Sequence, residues 1–181
     1  MFEMTRPRPS PDLLEYMHSL MIRDRATMSA SGKLIVDGDL IIPSDAIAFK
    51  FPFESVSGDL VCSDVQMTSF AGAPHTVGCS VYCLYTRIES FEHAPMSVGG
   101  DFFSRGSSIK SLKGIHKTHR NWKIGGVLGI PTHTADIVGL ALIEGINRVK
   151  ITTHTFDISD HDPHSFQEKL LDAGLKAQAR M

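Results

Sequence analysis

The sequence predicts an α/β fold: a short solenoid of about five parallel-strand rungs with a period near 21 residues, closed by N-terminal and C-terminal helical caps. Three observations carry this. A unit of 20 or 21 residues recurs through the middle of the chain, each copy holding a short apolar alternation behind a glycine-containing turn. Apolar residues in successive copies fall into aligned columns, so a core forms only by stacking. The flanking segments carry helix-start signals instead of the repeat. The expected organisation is a helical cap over residues 1–31, a solenoid over 32–146 and a strand/helix cap over 147–181, all one folding unit.

Composition agrees with one globular domain. The 181 residues hold 18 Lys+Arg against 20 Asp+Glu, for a net charge of −2, and 42% are hydrophobic, which excludes a disordered tail. No apolar run approaches the roughly 18 residues that span a bilayer. Met1 to Asp12 carries charge and proline without an apolar stretch of the signal-peptide kind. A cytoplasmic protein with no membrane partner is therefore expected. Cys62, Cys79 and Cys83 are an odd count without a second cysteine cluster, so they read as buried small apolar residues and not as disulfides or zinc ligands.

The first predicted element is a helix of about 14 residues. Ser10 is a capping serine, Pro11 stands at the first helical position, and Leu13, Leu14, Met17, Leu20 and Met21 form an apolar stripe. Its simplest role is a lid over the open end of the core. The repeats follow: V-D-G-D-L-I-I-P from Val36, V-S-G-D-L-V-C-S from Val56, V-G-C-S-V-Y-C-L from Val77, V-G-G-D-F-F-S-R from Val98, and I-G-G-V-L-G-I-P from Ile124 after a five-residue insertion. Stacking aligns Leu40, Leu60, Val81, Phe102 and Leu128 in one interior column and Ile42, Cys62, Cys83, Ser104 and Ile130 in the next. Val36, Val56, Val77, Val98 and Ile124 make a third, and Ile47, Met67, Ile88 and Ile109 a fourth. The glycines before each strand mark tight turns. Beyond the rungs, Ile137, Leu140 and Ala141 suggest a short helix stopped by Gly145, Val149 to Thr153 is strand-like, and Asp162-Pro163 opens a last helix carrying Phe166, Leu170 and Ala173, weakened by Gly174.

The template resembles a leucine-rich repeat of the short, 20 to 22-residue kind. The rung V-G-G-D-F, with its C-S and G-A-P companions in neighbouring copies, resembles the repeat proteins of unknown role encoded by many tailed bacteriophages. The likeness covers roughly residues 34–146, and A-D-I-V-G-L-A-L-I-E-G-I with the tail L-L-D-A-G-L is similar to the C-terminal cap of those proteins. The asparagine position of leucine-rich repeats holds Asp45, Val65, Thr86, Ser107 and His133 instead, so the asparagine ladder is absent. The resemblance implies a phage product at work in the host bacterial cytoplasm. The partner expected from it is a host or anti-phage defence protein, which the chain would bind and inhibit.

If one set of strand residues is buried, the alternate set faces outward. That places Ile41, Val61, Tyr82 and Phe103 in one outer column flanked by Asp39, Asp59, Ser80 and Asp101, with Leu84 and Arg105 further along the same face. In a leucine-rich-repeat-like solenoid this is the concave sheet, and adjacent exposed aromatics suit protein binding. Coverage by the chain's own ends, or a homodimer, would use the same stripe.

From Phe102 to Ala135 there is no acidic residue, while Arg105, Lys110, Lys113, Lys117, Arg120 and Lys123 give a local +6. The alternative function is therefore nucleic-acid or anionic-ligand binding through residues 105–123, with Trp122 and Tyr85 supplying stacking. The His/Asp-rich stretch His154 to His164 superficially offers metal ligands, yet contains no helical H-E-x-x-H pair. His116 and His119 do no better. No nucleophile elbow, P-loop or dinucleotide fingerprint occurs, and Cys83 lies in an interior column where a thiolate is costly. The sequence therefore reads as a non-catalytic interaction module with no cofactor and no metal.

Overall fold

The repeat folds as expected into a mixed α/β solenoid of stacked parallel-strand turns. A computed structural model describes residues 9–180; the first eight residues of the expected N-terminal cap lie outside that range. Each full turn contributes two short strands, where the sequence pattern alone marked one. The valine column is the end of a strand of its own: β2 (Leu34–Val36), β4 (Phe53–Val56), β6 (Thr76–Val77), β8 (Ser97–Val98) and β10 (Lys123–Ile124) pair in parallel. The second strands, β3 (Leu40–Ile41), β5 (Leu60–Val61), β7 (Val81–Tyr82), β9 (Phe102–Phe103) and β11 (Leu128–Ile130), build another parallel sheet. Only a three-residue glycine corner, such as Ser57-Gly58-Asp59, separates the two strands of a turn. So few residues leave no room for a helix between them.

Each end is closed by an antiparallel strand. β1 (Ala26–Met28) runs against β2 in one sheet, and β13 (His154–Asp157) runs against β12 (Arg148–Ile151) in the other. The reversal of direction ends the parallel rung pattern at these two edges. The opposite edges are the two-residue strands β3 and β10. At the first, the Arg25 guanidinium donates to the carbonyls of Asp37 and Asp39 at 2.7 and 3.1 Å.

β12 is a sixth turn, where the sequence suggested only a capping strand. Val149 pairs with Leu128 and Ile151 with Ile130, so the spacing of 21 continues and both interior columns extend by one residue.

The interior columns pack as the alternation requires. Leu40, Leu60, Val81, Phe102 and Leu128 are fully buried, as are Cys62, Cys83 and, nearly so, Ser104. The Ser104 hydroxyl donates to the Gly129 carbonyl at 3.0 Å, which removes the penalty of an unpaired polar group in the core. The fourth column needs a correction. Met67, Ile88 and Ile109 are fully buried, but Ile47 is 75% exposed. The first turn is one residue short between Ile42 and Phe49, compared with Cys62 to Phe70 or Cys83 to Phe91, so the chain cannot seat both Ile47 and Phe49 inside. Phe49 takes the interior place and starts a column with Phe70, Phe91 and Leu112 that the sequence reading overlooked.

The caps are shorter than their apolar stripes suggest. α1 spans Pro11–Ser19, with the Ser10 hydroxyl accepting the Leu13 amide at 3.2 Å. It ends because Met21 takes a left-handed conformation, φ 55°, while the Met21 and Ile22 amides donate to the His18 and Met17 carbonyls at 3.0 and 2.9 Å. This closing motif usually uses glycine at that residue. Met21 is thereby turned 85% into solvent, although the stripe had placed it in the lid. A four-residue helix α2 (Ile115–Thr118) sits in the insertion, and a 3₁₀ turn covers Val138–Leu142. α3 (Pro163–Asp172) is capped by Asp162, and Gly174, at φ 75°, ends it with the same motif as in α1 instead of weakening its interior.

Candidate functional site

The seven-stranded sheet sets the site. Residues alternate across it, so those not in the core columns stand on its outer face. The parallel register pairs Ile41 with Val61, Val61 with Tyr82, Tyr82 with Phe103 and Phe103 with Gly129. The predicted column therefore exists as one line of neighbours. The Tyr82 and Phe103 rings have centroids 6.0 Å apart and planes tilted by 30°. Ile41 is 60% exposed, while Val61, Tyr82 and Phe103 are half-buried by one another. α1 packs elsewhere, its Tyr16 ring 5.4 Å from Phe51, and α3 packs against the 3₁₀ turn.

The acidic residues beside this column have backbone work. The Asp39 carboxylate accepts the Asp59 amide at 2.8 Å, Asp59 accepts that of Ser80 at 2.7 Å, the Ser80 hydroxyl accepts that of Asp101 at 3.1 Å, and Asp101 accepts that of Val127 at 2.7 Å. This is a hydrogen-bonded ladder along the corner between the sheets. It holds the rungs in register as an asparagine ladder would, at another position of the repeat. The sequence signal was present: an acidic residue or serine directly before the core residue in four successive units.

Leu84 and Arg105 lie two residues beyond Tyr82 and Phe103 on the same face. The Arg105 guanidinium donates to the Tyr85 hydroxyl at 3.1 Å and stands 6.0 Å from that ring's centroid. Beyond Phe103 the column has no side chain at Gly129, and Phe103 leans into the space one would occupy. A hollow of about 180 Å³ opens there, lined by Leu84, Phe103, Arg105, Gly129, Ile130, Lys150 and Thr152. Lys150 on β12 and Thr152 in the turn after it were missed from the sequence because that strand was read as a cap. The interval of 21 from Leu128 to Val149 would have placed Lys150 next in line after Gly129.

The basic segment divides between faces. Lys110, Lys113, Lys117, Arg120 and Lys123 are all exposed. Lys123, however, stands on the six-stranded sheet and pairs with Ser97, whereas Arg105 belongs to the seven-stranded one. The run of +6 in sequence is thus not a single surface patch. Lys113 lines a larger groove of about 830 Å³ that crosses the corner loops of four turns, with Lys33, His75, His93 and Glu92 among its walls. That volume suits a small-molecule site, for which roughly 300–1,000 Å³ is usual.

Trp122 does not offer a stacking surface. It is fully buried, packs 4.9 Å from Phe91 and 5.7 Å from Phe102, and donates its indole N–H to the Pro95 carbonyl at 2.8 Å. Large aromatics fill the space beneath the insertion, which a single strand repeat would leave open. Tyr85 remains 56% exposed. His119 is also buried: its Nε2 lies 2.8 Å from the Phe91 carbonyl and its Nδ1 2.9 Å from the Thr118 hydroxyl. A carbonyl only accepts, so Nε2 carries the proton.

The His/Asp stretch folds as local loop chemistry. The Ser159 hydroxyl and amide donate to Asp157, holding its carboxyl below the ordinary range. The Ser165 hydroxyl does the same for Asp160, with the Lys169 ammonium 3.3 Å away. Among the described residues no group of three or more His, Cys, Asp or Glu side chains is placed to hold a metal ion, and no helix is long and apolar enough to cross a membrane. Cys62 and Cys83 are buried with their sulfurs 2.8 Å apart, and burial together with the Cys62 contact pushes the Cys83 thiol well above its usual range. Cys79 departs from the expectation: it follows Gly78 at a corner, outside every interior column, and is exposed.

Comparison with protein families, with curated proteins and with solved structures finds no match to this chain.

Proposed function

We propose that this solenoid is a non-catalytic protein-interaction module that binds its partner through the outer face of the seven-stranded sheet. The observation that carries the reading is the Ile41–Val61–Tyr82–Phe103 column, an apolar line ending in two adjoining aromatic rings on rigid strands. Aromatic anchors fixed on strands lose little conformational entropy when they bind, which is why such residues dominate interface energies. That the partner is a host or defence factor, and the effect inhibition, is part of the same proposal and rests on the likeness to phage repeat proteins. The test is capture from a lysate of the source cell with the tagged protein and with a Tyr82→Ala/Phe103→Ala variant, alongside the mass of the isolated protein. One stoichiometric partner, lost in a folded variant, supports the reading. Unchanged capture by the variant, or a dimeric mass that the variant abolishes, overturns it.

A second reading has one observation in its favour. The groove beside Lys113 also carries Lys33, His75 and His93, against Glu92 as the one acidic residue of its lining, a setting for an anionic ligand. Such binding would fall steeply with salt and with charge reversal at Lys113, whereas a contact through the aromatic column responds weakly to salt.

A further inference from the structure

The outer column changes character at Gly129. Three strands present Val61, Tyr82 and Phe103; the next presents no side chain, and the one after it presents Lys150. The resulting hollow is lined by the Phe103 and Leu84 side chains on its apolar side and by Arg105 and Lys150 on its charged side, with Gly129 and Ile130 at its floor. At about 180 Å³ it has the size of one side chain, well below that of a whole small-molecule ligand. Both charged residues at its rim are cations. Neither has a carboxylate within 4 Å among the described residues. Arg105 is meanwhile steadied by the Tyr85 hydroxyl, which leaves most of its five donors for another group.

We propose that this hollow is a carboxylate pocket: it receives a carboxylate on an apolar stem from the partner protein, the stem against Phe103 and Leu84 and the charge between Arg105 and Lys150. The inference rests on the protein-binding reading above and gives it a specificity determinant. Val61 and Tyr82 supply contact area; the pocket at the end of the line selects for a negative charge at one fixed place. Strand spacing of about 4.8 Å puts the Lys150 backbone roughly 10 Å from that of Phe103; the Phe103 ring covers Gly129, so an inserted stem lies against that ring on the Lys150 side. Two sources share this chemistry, a glutamate side chain and a chain-terminal carboxylate.

The test uses small probes on the whole chain, read as amide shifts of Gly129 and Lys150 by NMR. N-acetyl-leucine stands for a chain end and N-acetyl-glutamate amide for a side chain, each beside its neutral counterpart, N-acetyl-leucine amide and N-acetyl-glutamine amide. The expected result is saturable shifts with one carboxylate probe, about tenfold weaker binding of its neutral counterpart, and a similar loss in Lys150→Gln and Arg105→Gln. The responding probe identifies the source. Equal binding of charged and neutral probes, no shift with either carboxylate, or binding unaffected by both substitutions overturns the proposal. Both substitutions are of exposed residues, so retained melting behaviour confirms that the fold is intact. The result is separable from the capture experiment: capture that depends on Tyr82 but not on Lys150 or Arg105 keeps the interaction reading and removes the pocket.

Discussion

Gly99 stacks on Gly78 so closely that a methyl group added to Gly99 would fall on the Gly78 carbonyl oxygen. The same relation places Gly78 against Ser57 and Gly125 against Gly99. These glycines are needed less for turning than for nearness, since the corner backbones of successive turns are in contact. Gly99→Ala should therefore lower stability by about 2–3 kcal/mol through forced separation of two rungs, measured by urea unfolding. A loss below about 0.5 kcal/mol would contradict the close approach.

The ladder at the same corner separates charge from hydrogen bonding. Asp59→Asn keeps an oxygen for the Ser80 amide, while Asp59→Ala leaves that amide without its partner. The alanine variant should cost about 1–2 kcal/mol and the asparagine variant distinctly less. Equal losses would mean that the carboxylate charge, and not its acceptor, stabilises the stack.

His93 occupies a position at which the equivalent residues one turn before and after are Gly72 and Gly114, all three with positive φ: 62°, 89° and 77°. A side chain in the left-handed region costs roughly 1–2 kcal/mol, of which glycine's greater freedom in the unfolded chain returns part. His93→Gly should accordingly raise stability by about 0.5–1 kcal/mol, with His93→Ala near neutral. A destabilised glycine variant would show that the imidazole makes contacts worth more than the strain.

Thiol labelling should count one fast site in the native protein and three in denaturant. Cys79 is exposed; Cys62 and Cys83 are buried, and burial holds the Cys83 thiol in its neutral, unreactive form at neutral pH. Cys79→Ser should abolish the fast reaction. Persistent fast labelling in that variant would place an interior cysteine within reach of solvent.

Acid should act on the loop before α3. Serine donors hold the Asp157 and Asp160 carboxyls below their ordinary value. A carboxyl whose folded pKa is depressed contributes stability that is fully present above its unfolded value, about 3.9, and is lost as pH falls through the folded one. Ser159→Ala and Ser165→Ala should each move the titration of the partnered aspartate upward by NMR, and the stability of the variants should be less sensitive to pH below about 4. Unmoved titrations would show that the hydroxyls do not set these values.

Stacking, period and core columns were legible in the sequence because a fixed interval of 21 imposes the same environment on each copy. Legibility failed where the interval did. The missing residue between Ile42 and Phe49 expelled Ile47, and the glycine-free N-R-V-K before Ile151 disguised a sixth turn and with it Lys150. The valine-column strand of each turn was hidden for a different reason: strands as short as Thr76–Val77 and Ser97–Val98 give alternation nothing to declare, so Val77 and Val98 registered as a column without a strand. Met21 and Cys79 were misplaced by apolar character alone, because backbone conformation and a corner position decided their exposure. The outer column was readable from alternation; the hollow beside it was not, since an absence at Gly129 matters only once its neighbours on both sides are known.

The antiparallel strands at the two ends also fix how this array can change length. β1 and β13 run against the stack, so the parallel rung pattern stops at those strands and another copy of the chain cannot continue it across them in the same register and direction. Growth from within is open. A duplicated unit inserted between Asp59 and Ser80 would meet a carboxylate below it, an amide above it and core columns already spaced to receive it. Repeat number is in this sense an internal variable of the chain, with the two reversed strands serving as fixed bookends.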